Sequence, residues 1–204
     1  MTNQPLYNQD DEYLVKQSLM GDKLAFKVII KNTEALVAQI IFKMVRNSAD
    51  RKDLVQDVYL KAFKSLSGFK FKSKLSTWIG QIAYNTCLHY IQKKELVLLE
   101  KFESDDDLIQ ELTSKLSYLP DSSVINDTED LLQAKELLSV LQDAVEKLSP
   151  LYKTLITLYH TEELTYAEIS QITSLPEGTI KSYLFRARKI LKDYLSLTYK
   201  RDDL

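Results

Sequence analysis

Apolar residues recur along this chain with the three-to-four-residue spacing of amphipathic helices. A wide apolar stripe over residues 24–46 predicts one long helix. The same spacing predicts an earlier helix over residues 10–20, with inward-facing Leu14, Val15, Leu19 and Met20. A third helix is predicted over residues 51–66, with its buried stripe ending at Phe63. Residues 47–51 are interpreted as a turn in which Ser48 or Asp50 caps that third helix.

Further helices are predicted on both sides of a polar central segment. Ser76 or Thr77 is expected to cap a helix that runs to about residue 94. Asp127 or Thr128 is expected to begin another that continues to about residue 148. Ser149 and Pro150 then open a short helix, because proline suits the first helical turn.

Residues 164–191 have the pattern of a helix-turn-helix. Thr165 and Glu168 have the spacing of a capping box, and residues 173–175 interrupt the apolar pattern. Pro176 fits the first turn of a second helix, on which four residues face inward: Ile180, Leu184, Ala187 and Leu191. The residues that lie off this stripe are Lys181, Ser182, Phe185, Arg186 and Lys189. A second helix with a basic outer face indicates a major-groove reading helix, although a solvated surface hairpin is the plainer alternative.

Composition favours an all-α fold of two small helical domains. The 204 residues are 45% hydrophobic and contain only 4 glycines and 4 prolines, too few for a turn-rich sandwich or barrel. A single cysteine, Cys87, cannot form an internal disulfide, which fits a reducing cytoplasm. The polar N-terminus and the lack of a long apolar run predict neither a signal peptide nor membrane insertion.

The small net charge of −2 conceals three different segments. Residues 1–94 hold 15 Lys and Arg against 8 Asp and Glu, whereas residues 95–130 hold 2 against 11. Residues 131–204 are balanced, with 10 of each. We therefore predict an N-terminal domain at residues 1–95, an acidic linker at 96–129 and a C-terminal helix-turn-helix domain at 130–204.

A loop at residues 68–76 alternates aromatic and basic side chains. Lysines can neutralise phosphates, and an aromatic ring can stack on an unpaired base. The alternative is a solubilising loop in which phenylalanine anchors the chain to the core. We expect one phenylalanine to do so, and the alternating residues are Phe69, Lys70, Phe71, Lys72 and Lys74.

Two segments resemble the extracytoplasmic-function class of sigma factors, the promoter-specificity subunits of bacterial RNA polymerase. The first is Asp-Leu-Val-Gln-Asp-Val-Tyr-Leu-Lys-Ala-Phe at residues 53–63, followed by Ser-Thr-Trp-Ile-Gly-Gln-Ile-Ala-Tyr-Asn at 76–85. The second runs from Leu148 to Lys189 and includes Pro-x-Gly-Thr-Ile-Lys-Ser and Phe-Arg-Ala-Arg. They are similar to the family's region two and region four, in the same order.

The resemblance implies core RNA polymerase and promoter DNA as partners. An outer face of the third helix would bind the polymerase, through Asp53, Gln56, Asp57 and Lys61, although a solvated face is its usual fate. The basic-aromatic loop, Trp78 and Asn85 would open the minus-ten element and capture a flipped base. The second helix of the helix-turn-helix would read the minus-thirty-five element through Thr179, Lys181, Ser182, Tyr183, Phe185, Arg186 and Lys189.

The family also has anti-sigma factors, which are candidate inhibitory partners here. Two other interpretations remain open. One is a helix-turn-helix regulator that binds duplex DNA without polymerase, and the other is a sigma-like protein that only sequesters a partner. No nucleophile–base set, phosphate loop or metal-ligand spacing is present in the sequence, so we expect no enzyme activity, cofactor or metal.

Overall fold

A computed structural model describes the backbone of residues 9–99 and 140–202, and the side chains of residues 10–94 and 140–196. Within these ranges every regular element is helical, which confirms the all-α prediction. The helices are α1 (Gln9–Leu19), α2 (Lys23–Met44), α3 (Ser48–Ser65), α4 (Leu75–Leu99), α5 (Pro150–His160), α6 (Tyr166–Thr173) and α7 (Glu177–Asp202). A 3₁₀ turn spans Leu66–Gly68, and residues 140–146 are helical. The acidic linker was predicted to begin at residue 96, but α4 continues through Leu99. The rest of the predicted linker, and the predicted caps Asp127 and Thr128, lie outside the described residues.

Helices α1 to α4 form an N-terminal unit around α2. Asp22 caps α2, since its carboxylate accepts from the backbone N–H of Leu24 at 2.8 Å. The predicted stripe of α2 is largely buried and meets apolar residues of the neighbouring helices; these buried positions include Val37, Ile40, Ile41, Val58, Ile79 and Ala83. Burial of this stripe stabilises the unit and fixes where α3 and α4 point their outer faces.

Three predicted core residues of the N-terminal unit are exposed. Leu19 and Met20 are 53% and 79% exposed, because α1 ends at Leu19 and the chain turns at Gly21, whose φ is 95°. Phe63 is 54% exposed and packs its ring on Phe26, with centroids 5.0 Å apart. Helical spacing predicted the buried face correctly for most of the unit. It failed at the end of α1 and at the edge of the apolar stripe of α3, where Phe63 is only partly covered.

Two predicted helix starts are also wrong. Helix α3 begins at Ser48, inside the predicted turn, and Asn47 caps it by accepting from the backbone N–H of Ala49 at 3.2 Å. Helix α4 begins at Leu75, ahead of Ser76 and Thr77. The Leu75 N–H donates to Asp11 of α1 at 3.2 Å. Burial raises the pKa of Asp11, and this hydrogen bond opposes the effect.

The C-terminal unit comprises residues 140–146 and helices α5 to α7. Ser149 caps α5, as predicted, by accepting from the backbone N–H of Tyr152. Apolar side chains from all three helices are fully buried together, among them Leu155, Leu158, Ile169, Ile172, Ile180 and Leu184. The predicted inward stripe of the last helix is therefore confirmed.

The two units pack directly on each other. Helix α6 lies against α4, and α5 lies against α2. Gly80 of α4 is buried at this junction, beside Leu36 of α2 and Ile172 of α6. The sequence predicted two bodies joined by a linker and gave no indication of this contact.

Candidate nucleic-acid interfaces

The turn between α6 and α7 is fixed by local hydrogen bonds. Thr165 Oγ1 accepts from the Glu168 N–H at 3.3 Å, and Glu168 accepts from the Thr165 N–H at 2.9 Å, so the predicted capping box is present. Ser174 has the left-handed φ of 59° that ends α6. Ser170 donates to the Leu175 carbonyl at 2.7 Å, which holds the chain as it enters α7. Pro176 lies just before α7, and its carbonyl accepts from the Ile180 N–H.

This turn presents one face of α7 to solvent. The opposite face is anchored by Ile180, Leu184 and Ala187, which are completely buried. Five of the predicted contact residues are exposed together: Lys181, Ser182, Phe185, Arg186 and Lys189. Phe185 is 69% exposed, an unusual position for a large apolar ring unless it meets a partner. Such a face can meet base edges and a thymine methyl group in a major groove.

Two other predicted contact residues on α7 are only partly accessible. Thr179 is half-buried. Tyr183 is also half-buried, and its ring packs on Tyr152 of α5 with centroids 5.7 Å apart. Tyr183 therefore supports the position of α7 as well as lying beside its exposed face.

Two cations of α7 lie against a pair of stacked tyrosines, an arrangement that the sequence did not predict. Lys181 Nζ is 5.1 Å from the ring centroid of Tyr166, which stacks on Tyr159 with centroids 5.0 Å apart. Arg188 lies 5.3 Å from the Tyr159 ring. Its Nε is 3.3 Å from Nε2 of His160, whose pKa is lowered by burial and by the charge of Arg188. These residues come from three helices, so no single helical pattern could have joined them.

The basic-aromatic loop packs its aromatic rings together and exposes its lysines. Phe69 is buried, and its ring lies 4.8 Å from Phe71 and 5.1 Å from Trp78 between centroids. Phe71 and Trp78 are half-buried, and Phe71 has a left-handed φ of 55°. Phe69, predicted to bind DNA, is instead the anchoring phenylalanine. The loop's exposed cations are Lys70, Lys72 and Lys74.

Lys74 and Asn85 lie on the accessible side of the loop and of α4. Asn85 is exposed, as its predicted role requires. Lys74 Nζ makes an ion pair with Glu168 of α6 at 2.7 Å, so a predicted minus-ten residue contacts the helix-turn-helix. The structure thus places the basic-aromatic loop against the first helix of the helix-turn-helix.

The outer face of α3 is polar and exposed. Asp53, Gln56 and Asp57 lie side by side on it, as the helical spacing predicted. Lys61 is exposed too, but its Nζ donates to Thr86 of α4 at 3.1 Å, which ties α3 to α4. An acidic face of this kind fits a basic partner surface.

The described residues provide neither a metal-binding cluster nor a membrane-spanning helix. No group of three or more His, Cys, Asp or Glu side chains in the described part of the chain is arranged to hold a metal ion. Among the helices of residues 9–99 and 140–202, none combines the length and apolarity that crossing a bilayer requires.

Both halves of the chain match known family models. Residues 29–96 match the model described as Sigma-70 region 2, and residues 138–191 match the model described as Sigma-70, region 4. The first match contains α3 and the basic-aromatic loop. The second contains the helix-turn-helix.

Similar proteins of comparable length share both halves. The chain is 28% identical over 183 residues to the ECF RNA polymerase sigma-E factor of Haemophilus influenzae, covering 90% of this chain and 94% of that protein. It is 29% identical over 184 residues to the ECF RNA polymerase sigma factor SigW of Bacillus subtilis, covering 89% and 94%. The chain belongs to the extracytoplasmic-function (ECF) sigma factors.

Two solved structures share the fold. CnrH, in complex with the cytosolic domain of CnrY, has a TM-score of 0.61 at 18% identity, with 93% of this chain and 99% of that chain covered. The sigma factor RpoE of Bartonella quintana, in complex with the anti-sigma factor NepR, has a TM-score of 0.60 at 22% identity, with 84% and 96% covered.

Proposed function

We propose that this chain binds core RNA polymerase and directs promoter recognition, melting and transcription initiation. Residues 1–95 would bind the polymerase and the minus-ten element, and residues 130–204 would bind the minus-thirty-five element. The observation that carries this proposal is the exposed face of α7 around Phe185 and Arg186, on a chain that also matches Sigma-70 region 2. Specific DNA contacts from one unit and polymerase contacts from the other define a specificity subunit.

The C-terminal unit would read duplex DNA with α7 in the major groove. Arg186 can pair with guanine edges or phosphates, and Phe185 can contact a thymine methyl. Lys181, Ser182, Thr179, Tyr183 and Lys189 would supply backbone and neighbouring contacts. The capping box and the Ser170 hydrogen bond support this role because they hold α6 and α7 at a fixed angle.

The N-terminal unit would capture the minus-ten element as it melts. Lys70, Lys72 and Lys74 would neutralise phosphates, while Phe71, Trp78 and Asn85 would surround an unstacked base. Flipping a base costs a few kcal/mol, so the pocket must offset that cost by stacking and hydrogen bonding. Phe69 would position this surface from beneath.

The polymerase contact is assigned to the exposed polar face of α3. Asp53, Gln56, Asp57 and Lys61 would form it, with charge complementarity to a basic surface of the enzyme. The chain itself would supply no catalytic chemistry and need no cofactor. It would act in the cytoplasm with the polymerase, and an anti-sigma factor is a further proposed partner.

Run-off transcription with core polymerase on a pool of genomic promoter fragments tests the function. We expect start sites that depend on this chain, and a footprint that is specific only when core polymerase is present. Transcription that does not depend on the chain, or tight specific binding by the chain alone, would support a polymerase-independent regulator instead.

Arg186→Ala tests the assignment of α7. We expect promoter binding by the holoenzyme to weaken by ~1–3 kcal/mol, because a side chain that meets base edges or phosphate is lost. Lys31→Ala is the control, since Lys31 is an exposed cation of α2 that belongs to none of the proposed contact surfaces. Equal effects of the two substitutions would contradict the assigned face.

A further inference from the structure

A glycine forms a notch where the two units meet. Gly80 lies in the interior of α4, where glycine is less favourable than alanine by roughly 0.5–1 kcal/mol. A Cβ at this position would lie 3.2 Å from Cδ1 of Ile172 and 3.3 Å from Cδ2 of Leu36. Both contacts are tighter than ordinary van der Waals packing, so the bare backbone is what lets α6 approach α4 so closely.

Ile172 fills this notch from the other unit. Its side chain is fully buried, as is that of Ile169 one turn earlier on α6. Leu36 is 7% exposed and completes the contact from α2. The junction is therefore closely packed and apolar at its centre.

Ion pairs lie around this apolar centre. Lys74 of the loop pairs with Glu168 of α6 at 2.7 Å. Glu146 accepts from Lys43 of α2 at 3.0 Å and from Lys153 of α5 at 2.6 Å, so it also bridges the units. Each pair has one partner that is at least half exposed, Glu146 at 50% or Lys74 at 58%, so solvent screening keeps its energy small. Together the pairs favour one relative orientation of the units.

We propose that the Gly80 notch holds α6 in a docked form of the chain and that promoter binding requires α6 to leave it. The proposal rests on the function assigned above. Elements centred near minus ten and minus thirty-five are about 25 base pairs apart, or roughly 85 Å of B-form DNA. In the docked form Lys74 contacts Glu168, two residues from Tyr166, over whose ring Lys181 lies at 5.1 Å. The two proposed DNA surfaces cannot then occupy both elements.

The docked form also places a carboxylate where DNA phosphate would bind. Glu168 takes the Lys74 ammonium that the minus-ten surface would offer to the backbone of the promoter. Undocking therefore releases a phosphate-binding cation and separates the two reading surfaces in the same step.

Distances between spin labels on the two units test the docking. Cysteines at exposed Asn32 and Asp193 would carry the labels, while Cys87 is buried and should stay unlabelled. We expect one short distance in the parent chain, and longer, broader distances in Gly80→Phe and when core polymerase is added. Gly68→Ala is the matched control, because a Cβ there meets nothing within 4 Å. A broad distribution in the parent that Gly80→Phe leaves unchanged would overturn the proposal.

A reversible lock provides a test that does not depend on how well Gly80→Phe folds. Lys43→Cys and Glu146→Cys, at an ion pair 3.0 Å apart between the units and outside both proposed DNA surfaces, would be joined by a short bis-methanethiosulfonate reagent. We expect the bridge to lower promoter binding with core polymerase by roughly tenfold or more, and a reductant to restore it. Bridging Glu12→Cys and Lys16→Cys, an ion pair 2.6 Å apart within α1, is the control and should have no such effect.

The two tests separate failure of the docking from failure of the assigned function. A bridged chain that binds promoter as well as its reduced form overturns the docking proposal while leaving the function intact. A reduced chain that never binds promoter with polymerase contradicts the function, and the label distances then decide the docking independently.

Discussion

Burial determines the chemistry of Cys87, the single cysteine of the chain. Its side chain has no measurable exposure, and burial raises the pKa of the thiol to about 12, with the charge of Lys61 opposing the effect. The thiolate is the reactive form, so almost none is present at neutral pH. Cys87 lies in the interior of α4, where it packs as a small apolar side chain.

We predict that Cys87 resists alkylation by iodoacetamide at pH 7.5 in the folded protein and reacts readily in guanidinium chloride. Mass spectrometry of the intact chain gives the rate. A Ser67→Cys variant is the control, because position 67 is exposed and its thiol should react in the folded state. Rapid modification of Cys87 under native conditions would be inconsistent with this burial.

Exposed side-chain positions could be predicted where residue type and spacing agreed, as for Phe185 and Arg186. They could not where two aromatic residues of the same type stood close together. Phe69 and Phe71 are two residues apart in one loop, yet only Phe69 is fully anchored, because the Trp78 ring lies against it. The arrangement of two α7 cations against stacked tyrosines depends on contacts among three helices, which no local pattern encodes.

Helix α6 is short, with eight residues, so its ends matter more than its interior. Thr165→Ala removes the hydroxyl that accepts from the Glu168 N–H, and we predict a loss of about 0.5–2 kcal/mol in the free energy of unfolding. Urea unfolding followed by circular dichroism measures it.

Glu168→Gln is the control for this prediction. Glutamine can still accept from the Thr165 N–H and complete the capping box, whereas it cannot pair with Lys74 as an ion. It should therefore cost less stability than Thr165→Ala. A larger loss from Glu168→Gln would indicate that the ion pair, and not the cap, stabilises this helix.

Caps explain which helix boundaries could be predicted. Those of α5 and α6 are formed by residues next to the helix, so Ser149 and Thr165 were identified correctly. At the start of α4, the Leu75 N–H donates its hydrogen bond to Asp11, 64 residues earlier in the chain. Local capping rules cannot detect such a long-range acceptor, and they placed that start two or three residues late.

At the scale of the whole molecule, the docking of the two units was not predictable from sequence. In the sequence, Gly80 is only a residue of low helix propensity inside a predicted helix. The structure explains the glycine, because Ile172 of α6 packs against it. Family resemblance identified two functional regions but did not indicate how they pack in the isolated chain. The docked form adds a step between this chain and the promoter, and that step should respond to pH.

Two glutamates make the docked form sensitive to acid. Burial raises the pKa of Glu168, but hydrogen bonds from Lys74 and Thr165 outweigh it, so the pKa lies below its ordinary 4.5. For Glu146 burial is likewise outweighed, by Lys153 and Lys43. Lys74 and Lys43 belong to the other unit, so their share of the lowered pKa values is gained on docking and stabilises the docked form above the ordinary carboxylate pKa. That contribution is lost as the pH falls through the lowered value.

We therefore predict that the distance between labels at Asn32→Cys and Asp193→Cys stays short from pH 7 to pH 5 and lengthens below about pH 4.5. In the double variant Glu146→Gln, Glu168→Gln the distance should not lengthen below pH 4.5, because glutamine carries no charge that acid could remove. Far-UV circular dichroism on the same samples identifies the pH at which helices themselves unfold. A step of equal size in the double variant, with helicity intact, would show that groups other than these two carboxylates control the docking.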